Sequence, residues 1–303
     1  MAVVSTGFFD GVHLGHRKVL DRLCSIAAER GEESIAVTFW PHPRNVLQQN
    51  AEALRLLTGI EEKSRLITAL GIDRIEVIPF TKDFSRLSAE QFMKRYLVER
   101  LGATALVLGY DHRIGNDPSL SQTDLIAKAQ SLGLATERVG EYDMGGVLVS
   151  STKIRNVLLK GDISSANRML GYRYALNGVV VLGNRIGRTI GFPTANMKNY
   201  EPLKVIPADG VYLVWVKTCG VIYRGICNIG RRPTVGKFEE RTIETNILDF
   251  NEDIYGLDIS LEFEEKVRDE VKFPSLEALS KQIARDKAYA RQRMNDPSKI
   301  IFH

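Results

Sequence analysis

Gly7-Phe8-Phe9-Asp10-Gly11-Val12-His13-Leu14-Gly15-His16 joins a short apolar run, residues 2–8, to a stretch with helical period. Val19, Leu20, Leu23, Ile26 and Ala27 share one helical face, and Gly31 follows as a stop. A strand that turns through glycines directly into a helix is the opening unit of a parallel sheet. In such sheets ligands bind beyond the carboxyl ends of the strands, where the helix offers free N–H groups to phosphate. Gly11 and Gly15 permit close backbone approach, and His13 and His16 can donate hydrogen bonds to phosphate oxygens as charge grows in a transition state. Two histidines three apart can equally be surface polar residues or metal ligands. Their place at the junction favours phosphate.

The pattern repeats along the chain. Residues 34–39, 74–80 and 104–108 read as strands. Leu66, Ile67 and Leu70 mark a helix between them, and Ser88 with Gln91 reads as a capping box that buries Phe92, Met93, Tyr96 and Leu97. The expectation is an α/β, Rossmann-like parallel sheet with helices on both faces. Beyond about residue 172 helical period disappears and strands follow one another: 174–182, 210–218, 221–229, 244–249 and 258–263. Consecutive strands without helices pair antiparallel, as in a β-barrel or sandwich. Pro274-Ser275 then opens a terminal helix with Leu276, Leu279, Ile283 and Ala284 inward. The expected division is a first domain over 1–158, a linker over 159–172 and a second domain over 173–303.

Bulk properties agree with two soluble domains. The chain has 303 residues, 44% hydrophobic and 26% charged. A net charge of +4 suits anionic small molecules and is too small to argue for nucleic acid. No apolar run approaches the roughly 20 residues needed to span a bilayer, so no membrane partner is expected. Three scattered cysteines (Cys24, Cys219, Cys227) fit a reducing cytosol, and the first residues lack the pattern of a signal peptide. A cytoplasmic protein is expected, with homo-oligomerisation left open.

Two further strings carry chemistry. Ser150-Ser151-Thr152-Lys153-Ile154-Arg155 places hydroxyls and cations where a helix begins. Alone it reads as an N-cap with a solvated basic end; beside the histidines it becomes a candidate phosphate cradle. Gly183-Asn184-Arg185-Ile186-Gly187-Arg188-Thr189-Ile190-Gly191-Phe192-Pro193-Thr194-Ala195-Asn196 combines loop glycines, cations and the oxygen-bearing Thr194 and Asn196. Mg²⁺ prefers such oxygens. By glycine spacing alone a hairpin loop is the better reading.

Gly7 to His16, Thr38-Phe39-Trp40-Pro41-His42-Pro43, the string FSRLSAEQF at 84–92 and VSSTKIR at 149–155 together resemble the FMN adenylyltransferase half of bacterial bifunctional FAD synthetases. H-x-G-H is also the motif of the wider nucleotidylyltransferase superfamily. The resemblance implies catalytic His13 and His16, and an ATP site containing Gly7, Phe8, Asp10, Gly11, Gly15, Ser150, Ser151, Thr152 and Arg155. It places His42 and Asp111 near the flavin. One stretch departs. Where the family continues F-x-F-G-x-x-R-x-G, this chain has His112-Arg113-Ile114-Gly115-Asn116-Asp117-Pro118-Ser119-Leu120, replacing both aromatics, the arginine and the second glycine.

Gly-Phe-Pro-Thr-Ala-Asn at 191–196 is similar to the riboflavin kinase signature. Asn228-Ile229-Gly230-Arg231-Arg232-Pro233-Thr234, Glu244-Thr245-Asn246-Ile247-Leu248-Asp249-Phe250, Tyr255-Gly256 and Val267-Arg268-Asp269-Glu270 follow in the family's order. This resemblance implies Glu244 as the base for the riboflavin hydroxyl, Gly183, Gly187, Arg188 and Gly191 around ATP, Mg²⁺ at Thr194 and Asn196, and Arg268 near the flavin. The function implied is phosphorylation of riboflavin to FMN by ATP, then adenylylation of FMN to FAD with release of pyrophosphate. Two alternatives stand beside it: a riboflavin kinase with a weakened adenylyltransferase domain, and a non-catalytic flavin-binding sensor. Thr194, Asn196 and Glu244 argue against the sensor, since binding alone needs no base. His112 and His303 read as structural or solvated, Trp40 and Trp215 as core, and the basic terminal helix as a solvated face.

Overall fold

The computed structural model describes residues 1–47, 54–183, 191–232 and 240–294. Two compact units emerge, Met1–Lys153 and Ile154–His303.

In the first unit, β1 (Ala2–Thr6) is buried along its whole length. It is the middle strand of a five-stranded parallel sheet, with β2 (Glu33–Trp40) and β3 (Arg74–Pro79) on one side and β4 (Ala103–Leu108) and β5 (Ala135–Arg138) on the other. The order β3-β2-β1-β4-β5 reverses direction at β1, so the switch point lies between β1 and β4. Both faces are covered. Val4, Val37 and Leu106 enter one core cluster, while Val3, Ala36 and Val107 enter the other. Alternation along the strands sends neighbouring side chains to opposite faces.

Helix α1 (Leu14–Arg30) buries the five residues that periodicity assigned to its inner face. It ends at Gly31, whose φ of 63° lets its N–H reach Ala27 O and Ala28 O. A short helix α2 (Pro43–Val46) follows β2, and α3 (Ile60–Thr68) precedes β3. The Ser88–Gln91 capping box is present at the start of α4 (Ala89–Phe92), which continues in π-type turns over Met93–Arg100. Helix α5 (Gln122–Ser131) precedes β5, a strand absent from the sequence reading. Ala-Thr-Glu-Arg at a sheet edge is too short and too polar to signal itself.

Helix α6 (Ser151–Leu158) begins in the first unit and leads into the second, where α7 (Ile163–Leu170) occupies part of the stretch read as a linker. Asn167 fixes α7 to the strands beyond, accepting Tyr174 N at 2.8 Å and donating to Phe263 O at 2.9 Å. A closed antiparallel barrel follows, in the order β10-β7-β6-β11-β8-β9. Its strands are β6 (Ala175–Val181), β7 (Ala195–Asn199), β8 (Gly210–Thr218), β9 (Val221–Arg232), β10 (Glu240–Ile247) and β11 (Asp258–Arg268). Strand β7 begins within the string read as a binding loop, at Ala195. β9 and β10 run further than expected because they pair with each other from Arg232–Glu240 inward.

The terminal helix α8 (Leu276–Arg293) departs from its expected orientation. Leu276 and Ala284 are exposed and Leu279 and Ile283 only half-buried; its buried residues are Asp286 and Ala290. Ala290 and the following Met294 pack with Val211, Leu213, Trp215 and Leu248. The helix therefore meets the barrel through its C-terminal half, and Asp286 is buried because Arg268 neutralises it. Trp215 is core as expected, whereas Trp40 is half-buried at the end of β2. Among the described residues no helix is long and apolar enough to cross a membrane.

Candidate active sites

The β1–α1 junction is strained where it must turn. Phe9, Gly11 and Val12 all have positive φ (44°, 83° and 38°), which is rare for a β-branched residue. Buried contacts hold it. The Asp10 carboxylate accepts Leu57 N at 2.9 Å and Thr58 N at 3.0 Å. Thr58 Oγ1 donates to Asp10 at 3.3 Å and accepts Gly11 N at 3.0 Å. Ser151 Oγ donates to the Asp10 carbonyl at 2.9 Å, so this hydroxyl fixes the loop to the start of α6. Ser150 Oγ accepts Lys153 N at 3.4 Å, and Thr152 is exposed. Arg155 is half-buried one turn along α6.

His13 caps α1, its Nδ1 accepting His16 N at 3.3 Å, which leaves the ring proton on Nε2. The two imidazoles stack at 3.6 Å. Gly15 makes room for this: a Cβ there would stand 3.2 Å from the His13 ring. Burial, then the neighbouring His13 and Lys63, hold His16 well below the ordinary histidine pKa, so it is a neutral donor at pH 7. Its Nδ1 is buried with no hydrogen bond among the described residues.

An apolar shelf adjoins the histidines. Gly7 N donates to Val37 O, and the Phe8 ring lies tilted beside those of Phe39, His42 and Phe80, with centroids 5.4, 5.2 and 6.5 Å away. His42 itself caps α2 through Arg44 N. Asp111 lies across the switch point, exposed just beyond β4. Next to it His112 bridges to β1, with Nε2 2.7 Å from Thr6 Oγ1.

In the barrel, strand register assembles residues far apart in sequence. Glu244 on β10 lies opposite Asn196 on β7 and Asn228 on β9, and Asn228 lies opposite Val211, itself opposite Arg268 on β11. Directly opposed residues project to the same face, so Asn196, Glu244, Asn228 and Arg268 share one row. Adjoining the row is a cavity of about 390 Å³ lined by Gly183, Thr194, Asn196, Thr245 and Tyr255 among others. Glu244 does not line it; Asn196 belongs to both. The Asn196 amide rests against Gly183, where a Cβ would stand 2.2 Å from Nδ2. Asn246 Nδ2 donates to Pro193 O at 2.7 Å and holds the Pro193-Thr194 segment to β10. Gly191 is exposed at φ 80°. Gly187 and Arg188 lie outside the described residues. Arg268 is committed to Asp286, with Nη2 at 2.8 Å and Nε at 3.2 Å, and Nη1 donates to Asp269 O.

Residues 1–153 match the family described as FAD synthetase, and residues 170–294 the family described as riboflavin kinase. The chain belongs to the bifunctional riboflavin kinase/FMN adenylyltransferase family. The Bacillus subtilis (strain 168) member is 38% identical over 295 residues, covering 95% of this chain and 91% of that protein. The Escherichia coli (strain K12) member is 36% identical over 293 residues, covering 96% and 92%. A crystal structure of a macrolide-efflux protein from Streptococcus pneumoniae is also similar, with a TM-score of 0.89 and 31% identity over 97% of this chain and 94% of that one.

The stretch over residues 112–120 is largely exposed but anchored at a few points. Ile114 is buried in the sheet's core, and His112 is bonded to Thr6. Gly115 has φ 84° and lies against α4, where a Cβ would stand 2.3 Å from Ala89 N. Gln122 Nε2 gathers the carbonyls of Gly109, Tyr110 and His112. Thr58, Lys63 and Asp286 were missed in the sequence, and Asn228 stood within a quoted motif without a role. Lys63 alone left a signal there, a charge at i−4 from Ile67 on the apolar stripe of α3.

Proposed function

We propose that the barrel phosphorylates riboflavin to FMN and the parallel-sheet unit adenylylates FMN to FAD, so that one chain carries both activities of its family. The observation that carries the first assignment is the register that sets Glu244 beside Asn196 at the edge of the cavity. In the kinase step the Glu244 carboxylate takes the proton of the riboflavin 5′-hydroxyl as its oxygen bonds to the γ-phosphorus of ATP and ADP leaves. The rest is positioning and charge neutralisation. Among the described residues no group of three His, Cys, Asp or Glu side chains could hold a metal unaided. The Thr194 hydroxyl and Asn196 amide are hard oxygen donors that suit Mg²⁺ already carried by ATP phosphates. Mg²⁺ bound there would neutralise charge on the phosphates.

The second assignment is supported by the strained junction and stacked histidines at the sheet's switch point. A phosphate oxygen of FMN attacks the α-phosphorus of ATP, pyrophosphate leaves, and His13 and His16 donate to the phosphate oxygens as charge develops. The neighbouring rings of His42 and Phe8 offer aromatic surface to the isoalloxazine ring. The free cysteines fit a reducing cytoplasm.

Product analysis by HPLC tests both assignments, in one run starting from riboflavin and another from FMN. FMN followed by FAD is expected. FMN accumulating without FAD would reduce the chain to a riboflavin kinase, and no product from either flavin would leave only a flavin binder.

A further inference from the structure

Lys63 lies on α3 four residues before Ile67, and both are buried on the side by which that helix packs. It is 4% exposed, yet its ammonium makes no hydrogen bond or ion pair among the described residues. Burying an ammonium without a partner is costly unless something neutralises it. Two groups from the β1–α1 junction and α1 act on it electrostatically. Asp10 favours its charged form, and the Lys63 charge in turn disfavours protonation of His16. Burial outweighs Asp10 and brings the Lys63 pKa down to about 8. The Asp10 carboxylate is already an acceptor for Leu57 N, Thr58 N and Thr58 Oγ1, so its charge is shared with those donors. At this junction His16 Nδ1 is an enclosed atom without a hydrogen-bond partner among the described residues, whereas the Lys63 side chain is buried but its ammonium is not enclosed in that way. An anion arriving at the mouth of α1 would give the Lys63 ammonium a partner.

We propose that Lys63 is a phosphate-binding residue of the adenylyl-transfer site, its ammonium taking oxygens of the ATP triphosphate beside His16 and the α1 N-terminus. This rests on the placement of ATP at that junction given above. Lys63 draws the polyphosphate inward and stabilises the negative charge that collects on departing pyrophosphate. A protein that keeps an unpaired cation for a ligand gives up stability in the free state. A purely structural counter-ion for Asp10 would do the opposite.

The test uses the full chain, Lys63→Met and His16→Asn, with riboflavin kinase turnover as the internal control. Binding of ATP and of inorganic tripolyphosphate is measured by calorimetry, FAD formation from FMN by HPLC, and Tm without ligand. For Lys63→Met the expected result is at least a tenfold rise in Kd for both ligands, a matching loss of kcat/KM for ATP, an unchanged kinase rate and an unchanged or raised Tm. Wild-type binding and FAD formation in Lys63→Met, with His16→Asn impaired, would overturn the role of Lys63 and leave the site standing. If His16→Asn also behaves as wild type, the ATP placement itself fails. Should Lys63→Met not fold, Lys63→Arg decides by pH profile. Wild-type kcat/KM for ATP should fall as pH rises through about 8 and the Arg variant should not follow; identical profiles would overturn the proposal.

Discussion

Thr6 Oγ1 and His112 Nε2 stand 2.7 Å apart and join the carboxyl end of β1 to the segment leaving β4. This bond closes the floor of the switch point.

Burial pulls His112 down to about 4, below the ordinary value of 6.5. Between those pH values the unfolded chain takes up a proton that the folded one refuses. The stabilisation is therefore complete above pH 6.5 and is lost as pH falls toward 4. Hydrogen exchange of the β1 amides should report local destabilisation between pH 7 and 4.5 in the wild type and markedly less in His112→Phe. Equal pH sensitivity in the two proteins would remove His112 as the cause.

Glu244→Gln keeps the size and hydrogen-bonding capacity of the side chain but removes the base. FMN formation from riboflavin should fall by about 10²- to 10⁴-fold, while FAD formation from supplied FMN stays at the wild-type rate. His16→Asn should reverse that pattern. HPLC of both half-reactions checks the pair, and loss of both activities in either variant would contradict the division between units.

Gly183→Ala tests the Asn196 cradle. The added methyl would meet Asn196 Nδ2 at 2.2 Å and displace the amide. Kinase activity should drop at least tenfold, and the Mg²⁺ concentration for half-maximal rate should rise. Gly191→Ala meets nothing within 4 Å and suffers only its φ of 80°, a cost of about 1 kcal/mol. A Mg²⁺ titration of both variants separates the effects; equal responses would show that Asn196 holds no metal.

Asp286→Ala leaves Arg268 without the partner that buries it. Breaking such a pair costs about 3–5 kcal/mol, so the barrel's urea midpoint should fall clearly. Asp286→Asn, which keeps one acceptor oxygen, should lose less. An unchanged midpoint in the alanine variant would show that the ion pair does not anchor the terminal helix.

The sequence by itself determined whatever is written in local periodicity and local hydrogen bonding. The α1 face from Val19 to Ala27, its stop at Gly31 and the Ser88–Gln91 capping box all lie within a few residues of their causes. The change from strand–helix alternation to consecutive strands separated the parallel sheet from the barrel for the same reason. The motifs named candidate residues for each site. Tertiary structure alone decided which of them meet. No spacing along the chain announces that Asn196, Glu244, Asn228 and Arg268 share a row, because register is fixed by pairing between distant strands. Leu276, Leu279, Ile283 and Ala284 looked like the inner face of α8 by period. The Arg268–Asp286 pair and the packing of Ala290 and Met294 placed the contact elsewhere. Lys63 shows the same limit, since the burial and charge acting on one ammonium depend on side chains that only folding brings beside it.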